Sequence, residues 1–159
     1  GGFSGGVHWG IATDNKAIFV PIADTAYSES DKALSRAGLY ALDPISGETL
    51  WATQAVDVCE EKDEPACDPG LSAAVTATKD MVFAGAFDGH LRAYDALNGD
   101  IIWDFNTNKE FVSVNGEIAK GGAIESDGPI IYDGHVIVNS GYSFGSMMPG
   151  NALLVLSTD

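Results

Sequence analysis

The chain has 159 residues, enough for one domain with a sizeable core. Its 8 basic and 23 acidic residues give a formal net charge of −15, which disfavours binding to nucleic acid or to anionic lipid headgroups. The 19 glycines and the 45% hydrophobic content indicate many short strands joined by tight turns, so the composition predicts an all-β fold. No apolar stretch approaches the roughly 18 residues that span a bilayer, so no membrane insertion is expected.

A first unit of four antiparallel strands is predicted over residues 8–54. Apolar runs alternate there with polar turns, the first of which is Asp14–Asn15–Lys16. The four strands are expected near residues 8–13, 17–23, 38–43 and 48–54. The unit is followed by a long polar segment that leads to the next strands.

Two cysteines, Cys59 and Cys67, flank an acidic loop in that segment. Their spacing matches no common zinc pattern, which needs two closely spaced pairs of ligands, and no histidine lies nearby in the sequence. We therefore favour a disulfide that closes a surface loop in an oxidising compartment. The alternative is a pair of free thiols in a cytosolic protein.

A second unit of four strands is predicted over residues 73–106, and a third, incomplete unit over residues 123–159. The sequence of the third unit stops before a fourth strand. The second unit has strands expected near residues 73–78, 81–86, 90–95 and 100–106. The third has strands expected near residues 123–132, 135–140 and 151–157.

An internal repeat relates the first two units. Residues 39–51 (LYALDPISGETLW) align with residues 91–103 (LRAYDALNGDIIW), and five of the 13 aligned positions are identical. In both copies an Asp and a Gly bracket a predicted turn, where the carboxylate accepts backbone N–H bonds and the Gly takes a positive φ. A Trp follows ten residues after an Ala, so each indole is expected to be buried at a junction between sheets. The predicted docking residues are Ala41, Gly47, Trp51, Ala93, Gly99 and Trp103.

Four-stranded units that recur every roughly 50 to 60 residues are typical of the blades of a β-propeller. A closed ring needs at least four blades. The sequence therefore predicts a partial β-propeller over residues 1–159, which is completed by the remaining propeller blades of the parent protein.

The repeat and the segments GGVHWGIATD, AFDGHLRAYD and AKGG together resemble the pyrroloquinoline quinone (PQQ) dependent quinoprotein dehydrogenases, and most closely the polyvinyl alcohol dehydrogenases. The resemblance implies that the chain is the C-terminal part of an eight-bladed propeller in a periplasmic or otherwise extracytoplasmic enzyme that oxidises an alcohol. It also implies PQQ and a calcium ion as cofactors and a cytochrome-type electron acceptor. No Cys-x-x-Cys-His motif for covalent haem is present, so a haem c domain of a quinohaemoprotein parent would lie outside this sequence.

One face of the predicted propeller, here called the loop face, carries the loops between second and third strands and the connections between blades. Long, glycine-rich loops on a rigid scaffold are typical of functional sites. The loop face is expected to consist of residues 1–9, 24–37, 54–72, 86–89, 106–122 and 140–150.

The first strand of each blade starts near the propeller axis, so Trp9, Ser72 and Lys120, with Gly121 and Gly122, are expected to approach it. Trp9, Lys120, Gly121 and Gly122 are the expected cofactor-binding residues. An indole can stack on a planar quinone, and a lysine can bind its carboxylates. The alternatives stay open that Trp9 is a core aromatic residue and that Lys120 is a solvated loop lysine. The resemblance also implies a catalytic carboxylate, for which Asp24 after the second strand is the candidate. Metal ligands are not assigned.

Other polar residues have structural interpretations. Asp88 lies beside a Gly and is expected to close a hairpin turn. His8 and His90 lack partners at metal-ligand spacing, which favours hydrogen-bonding or surface roles. Asn139 and Ser140 lie at a hairpin end, where lining the channel and merely closing the hairpin are both open.

Two functions fit the sequence. The first is part of a PQQ-dependent dehydrogenase that oxidises polyvinyl alcohol or another secondary alcohol. The second is a noncatalytic repeat propeller that binds or assembles proteins through the same face, because a fold does not fix a function. A single central pocket that joins Trp9, Lys120 and a carboxylate would favour the enzyme, whereas a channel lined by small or apolar residues would favour the scaffold.

Overall fold

Three antiparallel sheets, each with its strands in chain order, make up most of the protein. Among the described residues, the only helix is a single turn, α1 (Glu29–Lys32), and none has the length and apolarity needed to cross a membrane. The computed structural model describes residues 5–26, 28–59, 66–142, 145 and 147–157.

The first sheet has four short strands. The turn after its first strand forms because the Asp14 carboxylate accepts N–H bonds from Lys16 and Ala17, both at 2.9 Å. Asn15, which lies between Asp14 and Lys16, takes a φ of 71°, a left-handed conformation that asparagine tolerates. The strands are β1 (Ala12–Thr13), β2 (Ile18–Ile22), β3 (Gly38–Leu42) and β4 (Thr49–Gln54), with α1 between β2 and β3.

The second sheet repeats the first. Its strands are β5 (Thr76–Ala77), β6 (Met81–Gly85), β7 (His90–Asp95) and β8 (Ile101–Asn106). Phe83 pairs with Ala93 as Phe19 pairs with Ala41, and in both sheets the pairing of the last two strands shifts just after that Ala. The internal repeat is therefore a repeat of structure, and the predicted all-β fold of four-stranded units is confirmed.

A hairpin that the sequence analysis did not predict connects the second sheet to the third. It consists of β9 (Glu110–Val112) and β10 (Ile118–Lys120). Its turn contains Asn115 and Gly116, and Gly116 takes a φ of 83°. Asparagine followed by glycine is a common hairpin turn, so this element had a signal in the sequence.

The third sheet has three described strands, β11 (Ile130–Tyr132), β12 (His135–Ser140) and β13 (Ala152–Ser157). Its first strand is shorter than the one expected near residues 123–132. The reason is that the preceding residues bond to other segments: Ala123 N–H donates to Met148 O at 2.9 Å, and Ile124 N–H donates to Ala86 O at 3.0 Å. This segment therefore links the second and third sheets.

The repeat tryptophan Trp51 connects the first sheet to the second. Ala41 lies opposite Trp51 in the β3–β4 pairing, and Trp51 Nε1–H donates a hydrogen bond to Ala96 O at 3.1 Å. Two residues further along β4, Thr53 Oγ1 donates to Gly99 O at 2.7 Å. A Cβ on Gly99 would overlap the Trp51 ring, so the close approach of the two sheets needs a glycine there.

The turn between the third and fourth strands of the first sheet explains the conserved spacing of Asp and Gly within the repeat. The Asp43 carboxylate accepts N–H bonds from Ser46 at 2.7 Å and from Ile45 at 2.8 Å, and these bonds lower the pKa of Asp43. Gly47 takes a φ of 74°, which favours glycine. Asp95 accepts an N–H bond in the same way in the second sheet.

Trp103 is more exposed than expected. It holds the same place in β8 as Trp51 does in β4, but 38% of its surface is exposed and its ring stacks on Phe105 at 5.7 Å. The register of the third sheet puts the equivalent of Ala96 at position 158, which lies outside the described residues. Trp103 therefore has no docking turn within the described part of the chain, and the expected burial does not hold there.

The core between the sheets is apolar, and its burial is the main source of stability. Two clusters fill the junctions. Between the first and second sheets lie Phe19, Leu39, Ala41, Leu71, Val75, Val82 and Tyr94. Between the second and third lie Ala73, Leu91, Ile124 and Val138.

Candidate functional site

The first strands of neighbouring sheets lie side by side. Ala74 N–H, just before β5, donates to Ser126 O at 3.0 Å. A Cβ on Gly10, just before β1, would lie 3.1 Å from Ala74 Cβ. First strands that meet in this way are the innermost strands of a propeller, so the residues at their starts surround its axis.

His8 and Ser72 occupy equivalent positions at this axis. His8 lies four residues before Ala12, which pairs with Phe19, and Ser72 lies four residues before Thr76, which pairs with Phe83. The two phenylalanines hold the same place in their sheets. His8 Nδ1 and Ser72 Oγ are hydrogen bonded at 2.7 Å, and Ser72 is fully buried. The hydrogen-bonding role expected for His8 is therefore observed.

By the same register the corresponding position in the third sheet is Ser126, four residues before Ile130, and Glu125 is its direct neighbour. Ile124 N–H donates to the second strand of the preceding sheet at Ala86 O (3.0 Å), as Leu71 N–H does at Ile22 O (3.3 Å). Glu125 follows Ile124 as Ser72 follows Leu71, and one extra residue then precedes the third sheet's first strand. Only 3% of Glu125 is exposed, and its Oε2 has no hydrogen-bond partner within the described part of the chain.

The sequence analysis did not select Glu125. The signal available was a glutamate in an otherwise apolar segment, GGAIES, immediately after two glycines. A charged residue in such a segment is rarely buried without a partner, so its burial could be read only from the structure.

Trp9, the predicted stacking residue, lies beside His8 at the start of the first sheet. The two ring centroids are 4.8 Å apart, and the ring planes are tilted by 40°. Because 49% of Trp9 is exposed, the side chain is not a core aromatic residue. Its indole offers free surface close to the axis.

Lys120, the predicted cation, lies at the end of β10 on the way into the third sheet. Lys120 pairs with Glu110 across the hairpin, and its backbone N–H donates to Asn151 Oδ1 at 2.8 Å. The residue is exposed. Within the described residues, no hydrogen bond, ion pair or ring contact joins Lys120 to Trp9.

Gly121 and Gly122 have a packing role. A Cβ on Gly121 would overlap Thr107 O, and a Cβ on Gly122 would overlap Met148 O. Ser140 Oγ donates to Gly122 O at 3.0 Å, so Ser140 closes this region from the other side. The two glycines therefore allow backbone segments to approach one another closely.

Asp24, the predicted catalytic carboxylate, is held by the long connection between β2 and β3. Its φ is 40°, its Oδ2 accepts the Arg36 N–H at 2.6 Å, and its carbonyl oxygen accepts the Ser35 hydroxyl at 3.0 Å. Asp24 lines a cavity of about 430 Å³ on the loop face, but Trp9 and Lys120 do not. The structure therefore does not bring the three predicted functional side chains into one cavity.

Three carboxylates and a lysine line this cavity together with small apolar side chains and a disulfide. Within the described residues, no group of three His, Cys, Asp or Glu side chains could hold a metal ion. The lining residues with polar or sulfur-containing side chains are Asp24, Lys32, Ser35, Gln54, Asp57, Cys59, Cys67 and Asp68.

Among these carboxylates, Asp68 has a pKa above its ordinary value. Burial raises the pKa of Asp68, and the charges of Asp57 and Asp88 act in the same direction. The Gly70 N–H, which donates to Asp68 Oδ1 at 2.7 Å, opposes the shift.

Cys59 and Cys67 form a disulfide, which confirms that prediction. Their Cα atoms are 5.5 Å apart, a usual separation for a bridge. The bridge closes the loop between them and forms part of the cavity wall.

Replacing both cysteines by serine is expected to destabilise the intact protein by about 2 to 3 kcal/mol, because the bridge restricts a short loop in the unfolded chain. Urea denaturation under nonreducing conditions measures the change. The wild-type protein under reducing conditions is the control and should lose the same stability. Two free thiols titrated in the native, nonreduced protein would contradict the bridge.

A buried ion pair lies beside the loop face in the second sheet. Arg92 Nη2 donates to Asp88 Oδ2 at 2.7 Å, and the two side chains are 1% and 0% exposed. Arg92 Nε donates to Asp104 Oδ2 at 3.0 Å, and Asp104 Oδ1 lies 2.6 Å from His90 Nδ1. Asp88 Oδ1 also accepts the His90 N–H at 2.7 Å, so Asp88 closes the hairpin turn as expected.

The polar groups of Asp88, Arg92, Asp104 and His90 form hydrogen bonds with one another. Burial disfavours the charged guanidinium, but Asp88 and Asp104 outweigh it and raise the pKa of Arg92. Burial also raises the pKa of Tyr94 to about 12. The network therefore stabilises the fold and leaves Asp88 and His90 with structural roles.

The family of the chain follows from comparison with known proteins. The family model PQQ_2, described as outer membrane protein assembly factor BamB, matches residues 35–157. The chain belongs to the PQQ_2 family. The matched residues include both copies of the internal repeat, 39–51 and 91–103, and the predicted resemblance to PQQ-type proteins is confirmed.

Relatives of this PQQ_2 chain include two enzymes. It is 36% identical to a polyvinylalcohol dehydrogenase of Pseudomonas sp. and 34% identical to one of Sphingopyxis sp. (strain 113P3). Each comparison covers 98% of this chain and 25% of the relative. The chain thus spans about a quarter of the length of these curated relatives.

The fold of the PQQ_2 chain is also seen in solved structures. The quinohemoprotein alcohol dehydrogenase ADHIIG of Pseudomonas putida HK5 matches with a TM-score of 0.59 and 20% sequence identity, over 87% of this chain and 17% of that protein. At this identity the likeness concerns the fold. It shows that the three sheets have the arrangement of blades in a larger propeller.

Proposed function

We propose that this chain forms part of a PQQ-dependent dehydrogenase that oxidises an alcohol. The observation that carries the proposal is the identity of 34–36% with two polyvinylalcohol dehydrogenases over 98% of the chain. Their names make polyvinyl alcohol, or another secondary alcohol, the substrate that we propose. The rest of the propeller would be supplied by the parent protein.

The residues at the axis fit a planar, tricarboxylated quinone. The exposed indole of Trp9 offers a face for stacking, and the exposed Lys120 offers a cation for a carboxylate. When bound, PQQ would accept the two electrons of the alcohol oxidation.

Asp24 remains our candidate for the carboxylate that accepts a proton from the substrate. Arg36 N–H holds its Oδ2 in place, and its side chain borders the cavity on the loop face. Gly121 and Gly122 would contribute to the cofactor site by holding Lys120 against the third sheet. Because the alcohol must contact the quinone to be oxidised, this role of Asp24 requires that bound PQQ extend from Trp9 to the cavity that Asp24 lines.

The described part of the chain offers no set of ligands for a calcium ion, because no group of three His, Cys, Asp or Glu side chains there could hold a metal ion. We therefore assign no calcium ligand to it. The disulfide supports an extracytoplasmic location, because such bridges persist in oxidising compartments. A cytochrome-type electron acceptor, or a haem c domain elsewhere in the parent, would receive the electrons.

Titration of the intact protein with PQQ tests the proposal, with tryptophan fluorescence as the readout. Stacking should quench the wild-type signal. Trp9→Ala should lose part of this quenching, and Lys120→Ala should weaken binding roughly tenfold or more, because it removes a charge-assisted contact.

The matched control is Lys79→Ala, which removes an exposed lysine from the turn between β5 and β6, at the opposite end of its strand pair. Its affinity for PQQ should equal that of the wild type. Unchanged affinity in both Trp9→Ala and Lys120→Ala would remove these residues from the site.

A noncatalytic assembly propeller is the second candidate. It is favoured by the description of the matching family model as outer membrane protein assembly factor BamB. Complete absence of PQQ binding by the intact wild-type protein, with and without calcium, would favour this function over the dehydrogenase.

A further inference from the structure

The disulfide organises one wall of the cavity on the loop face. Cys59 and Cys67 both line this cavity, and their Cα atoms are 5.5 Å apart. Asp57 lies two residues before the first cysteine, Asp68 lies directly after the second, and both aspartates line the same cavity. Burial raises the pKa of Asp68, and the charge of Asp57 raises it further, as a nearby like charge does. The bridge therefore holds two carboxylates close together in one wall.

A backbone N–H group fixes the orientation of each carboxylate. Asp57 Oδ1 accepts the Cys59 N–H at 2.9 Å, and Asp68 Oδ1 accepts the Gly70 N–H at 2.7 Å. An ionised carboxylate has two oxygens that only accept hydrogen bonds, with about four lone pairs between them, so one N–H bond uses only part of this capacity. Asp57 is exposed and Asp68 is half-buried. A ligand in the cavity can therefore reach both side chains and donate further hydrogen bonds to them.

The rest of the lining narrows the class of ligand. The described lining residues include three aspartates and one lysine, so negative charge is in excess and anionic groups are disfavoured inside the cavity. The volume of about 430 Å³ is in the range of sites for small molecules. A neutral aliphatic chain that carries several hydroxyl groups matches the acceptors and the apolar surface together. That apolar surface is formed by Ala26, Ala37, Ala55 and Pro69.

We propose that Asp57 and Asp68 bind the hydroxyl groups next to the reacting one in a polyhydroxylated chain. They thereby select an alcohol with hydroxyls on alternate carbons, the repeat of polyvinyl alcohol, over an alcohol with a single hydroxyl. Asp24 lines the same cavity and would take the reacting hydroxyl, so the other two carboxylates serve its neighbours. This inference rests on the proposed function for the identity of the substrate, and it adds the residues that determine specificity.

The experiment compares two alcohols that differ by one hydroxyl group. Pentane-2,4-diol has the hydroxyl spacing of polyvinyl alcohol, and pentan-2-ol has the same carbon skeleton with a single hydroxyl. KM and kcat for both alcohols are measured with the intact protein, PQQ and calcium. Binding of a short vinyl alcohol oligomer to the intact protein without PQQ is measured by calorimetry, which does not depend on oxidation.

The test variants are Asp57→Asn and Asp68→Asn, because each keeps the size of the side chain and removes its charge. Asp80→Asn is the matched control, since Asp80 is exposed on the turn between β5 and β6 and does not line this cavity. The thermal midpoint of each variant checks that it folds. Because Asp57 is exposed, Asp57→Asn decides the matter if Asp68→Asn does not fold.

A role in specificity predicts a particular combination of results. Each test variant should raise KM for pentane-2,4-diol roughly fivefold and leave kcat unchanged, because a charge-assisted hydrogen bond becomes a neutral one. KM for pentan-2-ol should stay at the wild-type value. Affinity for the oligomer should fall by a similar factor, and Asp80→Asn should match the wild type in every measurement.

Other results would overturn the inference. If KM for the diol and the oligomer affinity are unchanged in both test variants, the two carboxylates do not bind hydroxyl groups, although oxidation of the alcohols still supports the proposed function. An equal rise in KM for both alcohols would show that they do not select the diol. A wild-type protein that oxidises neither alcohol contradicts the proposed function. If that protein still binds the oligomer and Asp57→Asn weakens the binding, the hydroxyl site stands, whereas no oligomer binding by the wild type removes it.

Discussion

Replacing Arg92 by methionine is expected to destabilise the intact protein by about 3 to 5 kcal/mol, because it leaves a buried carboxylate without its counter-charge. Asp88 is 0% exposed and Arg92 is its ion-pair partner at 2.7 Å. Asp104, at the other end of the network, also loses the bond from Arg92 Nε. Urea denaturation, analysed for the free energy of unfolding, measures the loss.

The other arginine of the chain is the control. Arg36 is exposed, and within the described residues its guanidinium donates to the backbone oxygens of Leu34 and Ser35, so Arg36→Met should change stability by less than about 1 kcal/mol. Combining Arg92→Met with Asp88→Asn should recover part of the loss, since the second change removes the uncompensated charge. A loss below about 1 kcal/mol for Arg92→Met alone would show that the ion pair does not matter for stability.

Trp51→Ala is expected to destabilise the intact protein by about 3 to 5 kcal/mol, because it removes a large aromatic side chain from the junction of two sheets. The variant loses the packing against Phe19, whose ring centroid is 5.9 Å away. It also loses the hydrogen bond to Ala96 O. The free energy of unfolding by urea is again the measurement.

Two further variants separate the contributions of Trp51. Trp51→Phe keeps an aromatic ring but loses the indole N–H, so it should lie between the alanine variant and the wild type. Ile45→Ala is the control, because Ile45 lies on the nearby turn and is 96% exposed; its effect should stay within about 0.5 kcal/mol. A loss for Trp51→Ala that is no larger than that of Ile45→Ala would contradict docking.

The repeat could be predicted because its determinants are local. The Asp43 carboxylate accepts hydrogen bonds from residues two and three positions later. The pairing of Ala41 with Trp51 follows from the hairpin whose strands this turn connects. Burial of Trp103 could not be predicted in the same way, because it depends on a turn from the following sheet. The β9–β10 hairpin was missed although its Asn-Gly turn is a known signal.

The candidate site was predicted less well, because its features depend on long-range contacts. Trp9 was selected for lying outside the docking repeat, and its exposure agrees with an accessible indole. Glu125 could not be distinguished from a surface glutamate until both its burial and its missing donor were known. A pocket joining Lys120 with a carboxylate would have favoured the enzyme, but Asp24 lines the cavity on the loop face, whereas Lys120, at the end of β10, does not.

The contact made by Trp51 runs in one direction along the chain. Trp51 and Thr53, on the fourth strand of one sheet, donate hydrogen bonds to Ala96 and Gly99 on the turn of the next sheet. A substitution of Gly99 would therefore loosen the sheet that precedes it, although Gly99 belongs to the sheet that follows. The first sheet thus depends on the sheet that follows it for one wall of its own core, which is a head-to-tail dependence between neighbouring units.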